Sequence, residues 1–166
     1  MAYQGGEAPV RLALSAGAVL VVLLGWLSGW LGFEAYQDHT TDRTREVLIA
    51  TARQCAADLT SVDHTRVEVD VERILNCATG GFRAEFAGRS DSLIDVVKRS
   101  QSTSVGTVTE AGLESVSGDE GVALVAVTVR TAIGGISDGR PRQLRMRLTV
   151  AMQGEQAKVS RVDFIA

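Results

Sequence analysis

The chain is poor in the residues that usually announce chemistry. Among its 166 residues there are 2 histidines, 2 cysteines and 2 prolines, and only 5% of positions are aromatic. Two cysteines exclude a disulfide-dense miniprotein, and two prolines exclude a Pro-rich disordered tail. Neither GxGxxG nor GxxxxGKS/T occurs, so nucleotide binding has no motif behind it. No CxxC and no second Cys/His group is present, which leaves a zinc site without a framework. Basic residues are outnumbered 17 to 20, for a net charge of −3, so the chain is no basic nucleic-acid arm. Its length has room for one ordinary domain plus an accessory segment, and none for a multidomain enzyme.

What the chain does have is an uneven distribution of apolar residues. Its mean hydropathy of +0.10 is high for 22% charged residues, because one run dominates it. From Leu12 to Phe33, 22 residues between Arg11 and Glu34 carry no charged side chain. As a helix this run would reach roughly 33 Å, enough to cross a hydrocarbon core of about 30 Å. A cleavable signal peptide would have a shorter apolar region and an A-x-A-like site after it, which the stretch Gly25 to Phe33 does not offer. The expected organisation is a cytoplasmic tail over 1–11, a transmembrane helix over 12–33, a juxtamembrane helical linker over 34–43 and an exported domain over 44–166. Ala13, Gly17, Gly25 and Gly29 are spaced in multiples of four and let another helix approach closely, while Trp26 and Trp30 fit an interfacial anchor. Lys and Arg counts beside the span, Arg11 against Arg43 and Arg45, do not decide orientation. A short tail before the span and a long domain after it fit a signal anchor in the plasma membrane, with the N-terminus in the cytoplasm.

Past the span, Val47, Leu48, Ala52, Cys55, Ala56 and Leu59 recur at three- and four-residue steps, the signature of an amphipathic helix. Ser61 to Thr65 favours a turn, and Asp70 is a candidate cap for a second helix that runs to Ala78 and ends at Thr79-Gly80-Gly81. Phe82, Phe86, Leu93, Ile94 and Val97 predict a third helix to about Arg99, with a break expected near Gly88-Arg89-Ser90. Cys55 and Cys77 fall on the first two of these helices. In an oxidising compartment a bridge between them would stabilise the domain by roughly 3 kcal/mol in the chain-entropy model; in a reducing one both are buried thiols.

From Ser102 the apolar period changes to two. Leu144, Met146, Leu148, Val150 and Met152 alternate with Gln143, Arg145, Arg147, Thr149 and Ala151, a strand with one buried face. Val122 to Ile133 is nearly all Val, Ala, Leu and Thr, and is expected to be buried more fully. Thr103 to Val116 and Ala157 to Ile165 supply two more strands, and turn-rich connections make all four a meander. Helices followed by hairpins predict an α+β layer fold, with the helices on one face of a curved four-stranded antiparallel sheet.

The order of a single span, a helix bearing Ala52-Arg53-Gln54-Cys55-Ala56-Ala57-Asp58-Leu59-Thr60, an acidic second helix, Ala78-Thr79-Gly80-Gly81-Phe82-Arg83 and four strands resembles the actinobacterial Mce-associated membrane proteins. These accompany mammalian-cell-entry (Mce) lipid import systems. The resemblance implies a ketosteroid-isomerase-like or cystatin-like soluble domain, similar also to inner-membrane scaffold subunits of type IV secretion. It implies an accessory role beside Mce proteins or their permease, without catalysis or cofactor.

The residues agree with a non-enzymatic role. His39 is expected in the polar linker and His64 in a turn beside Asp63, both solvated. Asp63, Asp70 and Asp95 are the carboxylates an isomerase-like base would draw on, and each is expected at a turn or on a mainly polar face. Residues 34–101 hold 12 acidic and 9 basic side chains, while 102–166 hold 7 of each, so the helical half carries the excess negative charge. Arg142, Arg145 and Arg147, with Arg140 and Arg161, are expected to share one polar strand face, either an ordinary solvated face or a patch for an acidic protein surface or anionic lipid headgroups. Direct lipid binding by a tethered module and an exported isomerase-like enzyme are the alternatives. For the span, the double replacement Gly25→Leu, Gly29→Leu is expected to weaken helix association while insertion continues; unchanged crosslinking within the membrane would dispose of that face.

Overall fold

The apolar stripe of Val47, Leu48, Ala52, Cys55, Ala56 and Leu59 needs a surface to cover it, and the sheet supplies that surface. In the computed structural model, which describes residues 42–137 and 139–165, residues 42–60 form helix α1. Two further helices follow, α2 (Val67–Cys77) and α3 (Gly80–Ser100). The strands are β1 (Val62–Asp63), β2 (Ser102–Ser117), β3 (Glu120–Ile133), β4 (Ile136–Ser137), β5 (Arg142–Gln153) and β6 (Gln156–Ile165). They form a six-stranded sheet in the order β1-β2-β3-β5-β6, with β4 paired to the end of β3. Every pairing between these strands is antiparallel, as the hairpin connections β2-β3, β3-β4 and β5-β6 require.

The α+β class and the helices-then-meander order are as the sequence predicts. The sheet is larger than expected by two short strands, β1 and β4, each of two residues. Segments this short carry no detectable period, and only pairing with β2 and β3 makes them strands. The second strand also differs from expectation. Along β3, Ala123, Val125, Val127 and Val129 are buried while Leu124 and Arg130 are exposed, so the run is covered on one face only. Its partners follow the same alternation, with Val125 opposite Met146 and Ala123 opposite Leu148.

Leu48, Ala52, Cys55 and Ala56 of α1 have no exposed surface and pack on this inner face with Met146, Leu148, Val150 and Val159. Removing a side chain the size of Leu48 or Met146 from water contributes about 2 kcal/mol each. Two glycines set how closely α1 lies. A Cβ on Gly121 would stand 2.9 Å from the Leu48 side chain. At the other end of the helix, a Cβ on Gly106 would stand 2.5 Å from Thr60 Cβ and closer still to its hydroxyl. There the Ser61 hydroxyl accepts from the Gly106 N–H at 3.0 Å, and β1 takes its place beside β2.

A satellite cluster of Val67, Val71 and Val97, flanked by Phe86, Leu93 and Ile94, joins α2 to α3. Helix α3 runs unbroken through Gly88-Arg89-Ser90, contrary to the expected break. A glycine in an exposed turn costs about 1 kcal/mol relative to Ala and does not by itself end a helix. Thr79-Gly80-Gly81, expected to end the second helix, is the corner between α2 and α3. Thr79 is extended and donates its N–H to the Val159 carbonyl at 2.8 Å, its hydroxyl accepts from Gln153 at 2.7 Å, and Gly80 has φ +54°, which favours glycine. Phe82 packs on the main core and Arg83 donates to the Leu75 carbonyl near the end of α2. The Thr79-to-Arg83 motif thus hooks both helices onto β6.

Arg43–Ala166 is a compact unit by itself. Among the described residues no helix is long and apolar enough to cross a membrane. The expected span 12–33, with Gly17, Gly25, Gly29, Trp26 and Trp30, lies outside the described residues, as do the tail 1–11 and His39. Because helix and strand touch at Gly106, Gly106→Ala is expected to destabilise the domain by roughly 2 kcal/mol. Thermal unfolding should show a lowered midpoint, whereas Gly112→Ala, whose Cβ would meet open space, should leave it nearly unchanged.

Candidate functional site

Two carboxylates lie in the interior, and they define the seam between α1, β1 and α2. Asp70 is 1% exposed and Asp58 7%. In α2 the buried positions are Val67, Asp70, Val71 and Ile74, the i, i+3, i+4, i+7 stripe of an amphipathic helix, so Asp70 sits on the apolar face. It is not a cap: Arg66 holds the N-cap position, and no side chain caps the helix there. It is not solvated either. Asp70 accepts the Asp63 N–H at 2.8 Å and a guanidinium hydrogen of Arg73 at 2.6 Å. Arg66 lies 3.6 Å from the same carboxylate, and Arg73 also lies 3.6 Å from Asp58. Gln54 donates to both Asp58 oxygens at 3.2 Å. One arginine therefore spans carboxylates on two helices, with a β1 amide completing the coordination.

Beside this seam Cys55 of α1 and Cys77 of α2 are joined by a disulfide, Cα to Cα 5.7 Å. The seam is thus covalent at one point and ionic at another. Its signal in sequence was a carboxylate at i+3 of an apolar stripe with arginines four residues before and three after.

The histidine chemistry is modest. His64 Nδ1 stands 3.2 Å from the Thr103 hydroxyl and 3.6 Å from Asp63, so both partners meet the same ring nitrogen. A relay between nucleophile and acid needs one partner on each nitrogen. Asp63 serves a local turn: the Thr65 hydroxyl and N–H both donate to it and hold its carboxyl below the usual value, with His64 and Arg66 adding to the effect. A hydrogen bond from Lys98 similarly lowers Glu68 and ties α3 to α2. No group of His, Cys, Asp and Glu among the described residues could hold a metal ion.

No described element covers the outer face of the sheet, opposite the helices. Register places Glu110, Ala126, Arg145 and Ile165 in one row across it, and Gly112, Leu124, Arg147 and Asp163 in the next. A groove of about 390 Å³ runs here, lined by Glu110, Gly112, Leu124, Ala126, Arg145 and Ile165 among others. The expected arginine patch is divided. Arg145 and Arg147 share the outer face, but Arg142 pairs with Val129 and belongs to the helix-side row, because strand faces alternate with odd and even positions. Arg147 is engaged by Glu114 through two hydrogen bonds of 2.9 and 3.0 Å, and Arg161 lies 3.4 Å from Asp163. Arg145 has no such partner among the described residues.

A family model described as "Uncharacterized protein Rv1363c/MT1408-like" matches residues 10–166. The chain is 33% identical over 158 residues to the protein Rv1363c of Mycobacterium tuberculosis strain H37Rv, covering 93% of this chain and 60% of that relative's length. Three solved structures share the fold at low identity. An IcmL-like type IV secretion system protein from Legionella pneumophila aligns with a TM-score of 0.59 at 14% identity, over 74% of this chain and 94% of that one. The periplasmic domain of DotI aligns with a TM-score of 0.53 at 12% identity, over 70% and 91%. The VirB8 protein of Agrobacterium tumefaciens aligns with a TM-score of 0.52 at 10% identity, over 74% and 92%.

Removing the buried anion should expose what the seam contributes. Asp70→Ala is expected to cost about 2–3 kcal/mol, since it strands the Asp63 amide and leaves Arg73 with Asp58 alone. Asp70→Asn keeps an acceptor for that amide and should cost less. Denaturant midpoints measured with the disulfide intact would check the order.

Proposed function

The chain belongs to the Rv1363c/MT1408-like family, and on that footing we propose that it is a non-catalytic assembly subunit of a multiprotein complex in the cell envelope. The observation that carries this is where the interior charge goes. Asp58, Asp70 and Arg73 are spent on joining α1 to α2, and the inner face of the sheet is filled by α1 side chains instead of enclosing a substrate. What remains for function is surface. The outer sheet face exposes Val105, Leu124 and Ile165 among charged neighbours, the composition of a contact surface more than of an active site.

The fold likeness supports the same role. The Legionella structure that resembles this fold is described as an IcmL-like type IV secretion system protein, and the DotI structure as a periplasmic domain. In our reading the residue 12–33 run tethers the domain to the plasma membrane as a single pass, N-terminus inside, with the folded unit on the extracytoplasmic side. The complex is then an Mce-type lipid importer, in keeping with the resemblance of Ala78 to Arg83 and the helix around Cys55 to Mce-associated proteins.

Purification of the tagged full chain from native membranes in mild detergent, followed by native mass spectrometry, tests this. Mce proteins or their permease are expected to co-purify in fixed ratio. Recovery of the chain alone with a retained lipid would favour a tethered lipid-binding module, and recovery alone with nothing bound would count against both.

A further inference from the structure

The outer face of the sheet is charged asymmetrically about its central strand. On one side of β3, strand β2 presents Glu110, with Glu114 in the adjacent bulge; on the other side, β5 presents Arg145 and Arg147. Between them β3 contributes Leu124 and Ala126, and Gly112 and Ile165 extend this low apolar floor. Leu124 and Ile165 are each 39% exposed. Glu114 and Arg147 bond to each other across the face, but Glu110 and Arg145 make no hydrogen bond or ion pair among the described residues. Both lie in the row that runs through Ala126, one strand to either side of it.

That arrangement has a symmetry consequence. Strands are spaced about 4.8 Å apart and stacked sheets about 10 Å, so a two-fold axis parallel to β3 and midway between two such faces sets β2 of one copy over β5 of the other. Glu110 of each copy then lies over Arg145 of its partner, within reach of a Glu–Arg pair, while Ala126 meets Ala126. Sheet faces pack aligned with a small rotation, which small residues at the centre accommodate. A neutral or singly charged face would lack this property, and a uniformly basic one would repel its own copy.

We propose that a second copy of this chain docks on the outer sheet face, two-fold about β3, with Glu110 and Arg145 paired reciprocally over the floor of Gly112, Leu124 and Ala126. This goes beyond the assembly role and is independent of which complex the chain serves. It gives the subunit a dimeric form in which each helical layer faces outward from a shared double sheet.

Reciprocal charge reversal tests it directly. In the full chain in mild detergent, Ala126→Cys adds a thiol beside two native cysteines already bonded to each other, and a short bis-maleimide should join two copies through it. Glu110→Arg or Arg145→Glu in that background is expected to weaken association at least about tenfold, because like charges then face each other. The double reversal should restore it. Both residues are exposed and unpartnered, so retention of the Cys55–Cys77 bridge and an unchanged melting midpoint will show that each variant folds. Leu124→Asp should weaken crosslinking in the same direction. Absence of crosslinking, crosslinking that ignores the single reversals, failure of the double reversal to rescue, or crosslinking only to a different polypeptide would each overturn the proposal. Failure of transporter subunits to co-purify would leave these outcomes untouched.

Discussion

Helix α1 lying flat on the inner face of the sheet is the contact on which the rest of the domain depends. It buries Leu48, Ala52, Cys55 and Ala56 completely, and it does so only because Gly121 and Gly106 remove the Cβ atoms that would hold it off at either end. Once α1 is seated, the disulfide fixes where α2 must lie, and Arg73 neutralises two carboxylates that burial would otherwise make costly. The seam is therefore redundant, a covalent link beside an ionic one.

The same contact accounts for the division between the two sheet faces. With one helix covering the inner face and the α2–α3 corner hooked to β6 at Thr79 and Val159, no described element is left to cover the outer one. Interior chemistry is consumed by architecture, and the residues available to a partner are those the sheet turns outward. The stable part faces inward, and the unpaired charges among the described residues of this face, Glu110 and Arg145, lie in one row across the outer surface.

Much of the fold was legible because burial leaves periodic marks. The 3.6-residue stripe of α1 and the two-residue alternation of β5 are properties of neighbouring residues, and both appear as expected. The differences lie at single residues whose setting overrides their usual preference. Asp70 looked like a cap, yet it is buried because Arg73 and the Asp63 amide meet it. Gly88 looked like a break, yet α3 continues past it. Arg142 looked like a companion of Arg145 and Arg147, although odd and even numbering alone separates it from them along a regular strand.

By itself the sequence determined the class of fold, the order of its elements, the one-sided burial of β5 and the run of residues suited to a membrane span, because each follows from local composition and repeat. It also restricted the cysteines to one pairing. Tertiary structure alone decided that the pair is joined, that Asp58 and Asp70 share one guanidinium, and that acidic and basic residues flank β3 on the face that no described element covers. Those outcomes depend on distances between residues remote in the chain. Such distances are set by how closely a helix can approach a sheet, and here two glycines set that approach.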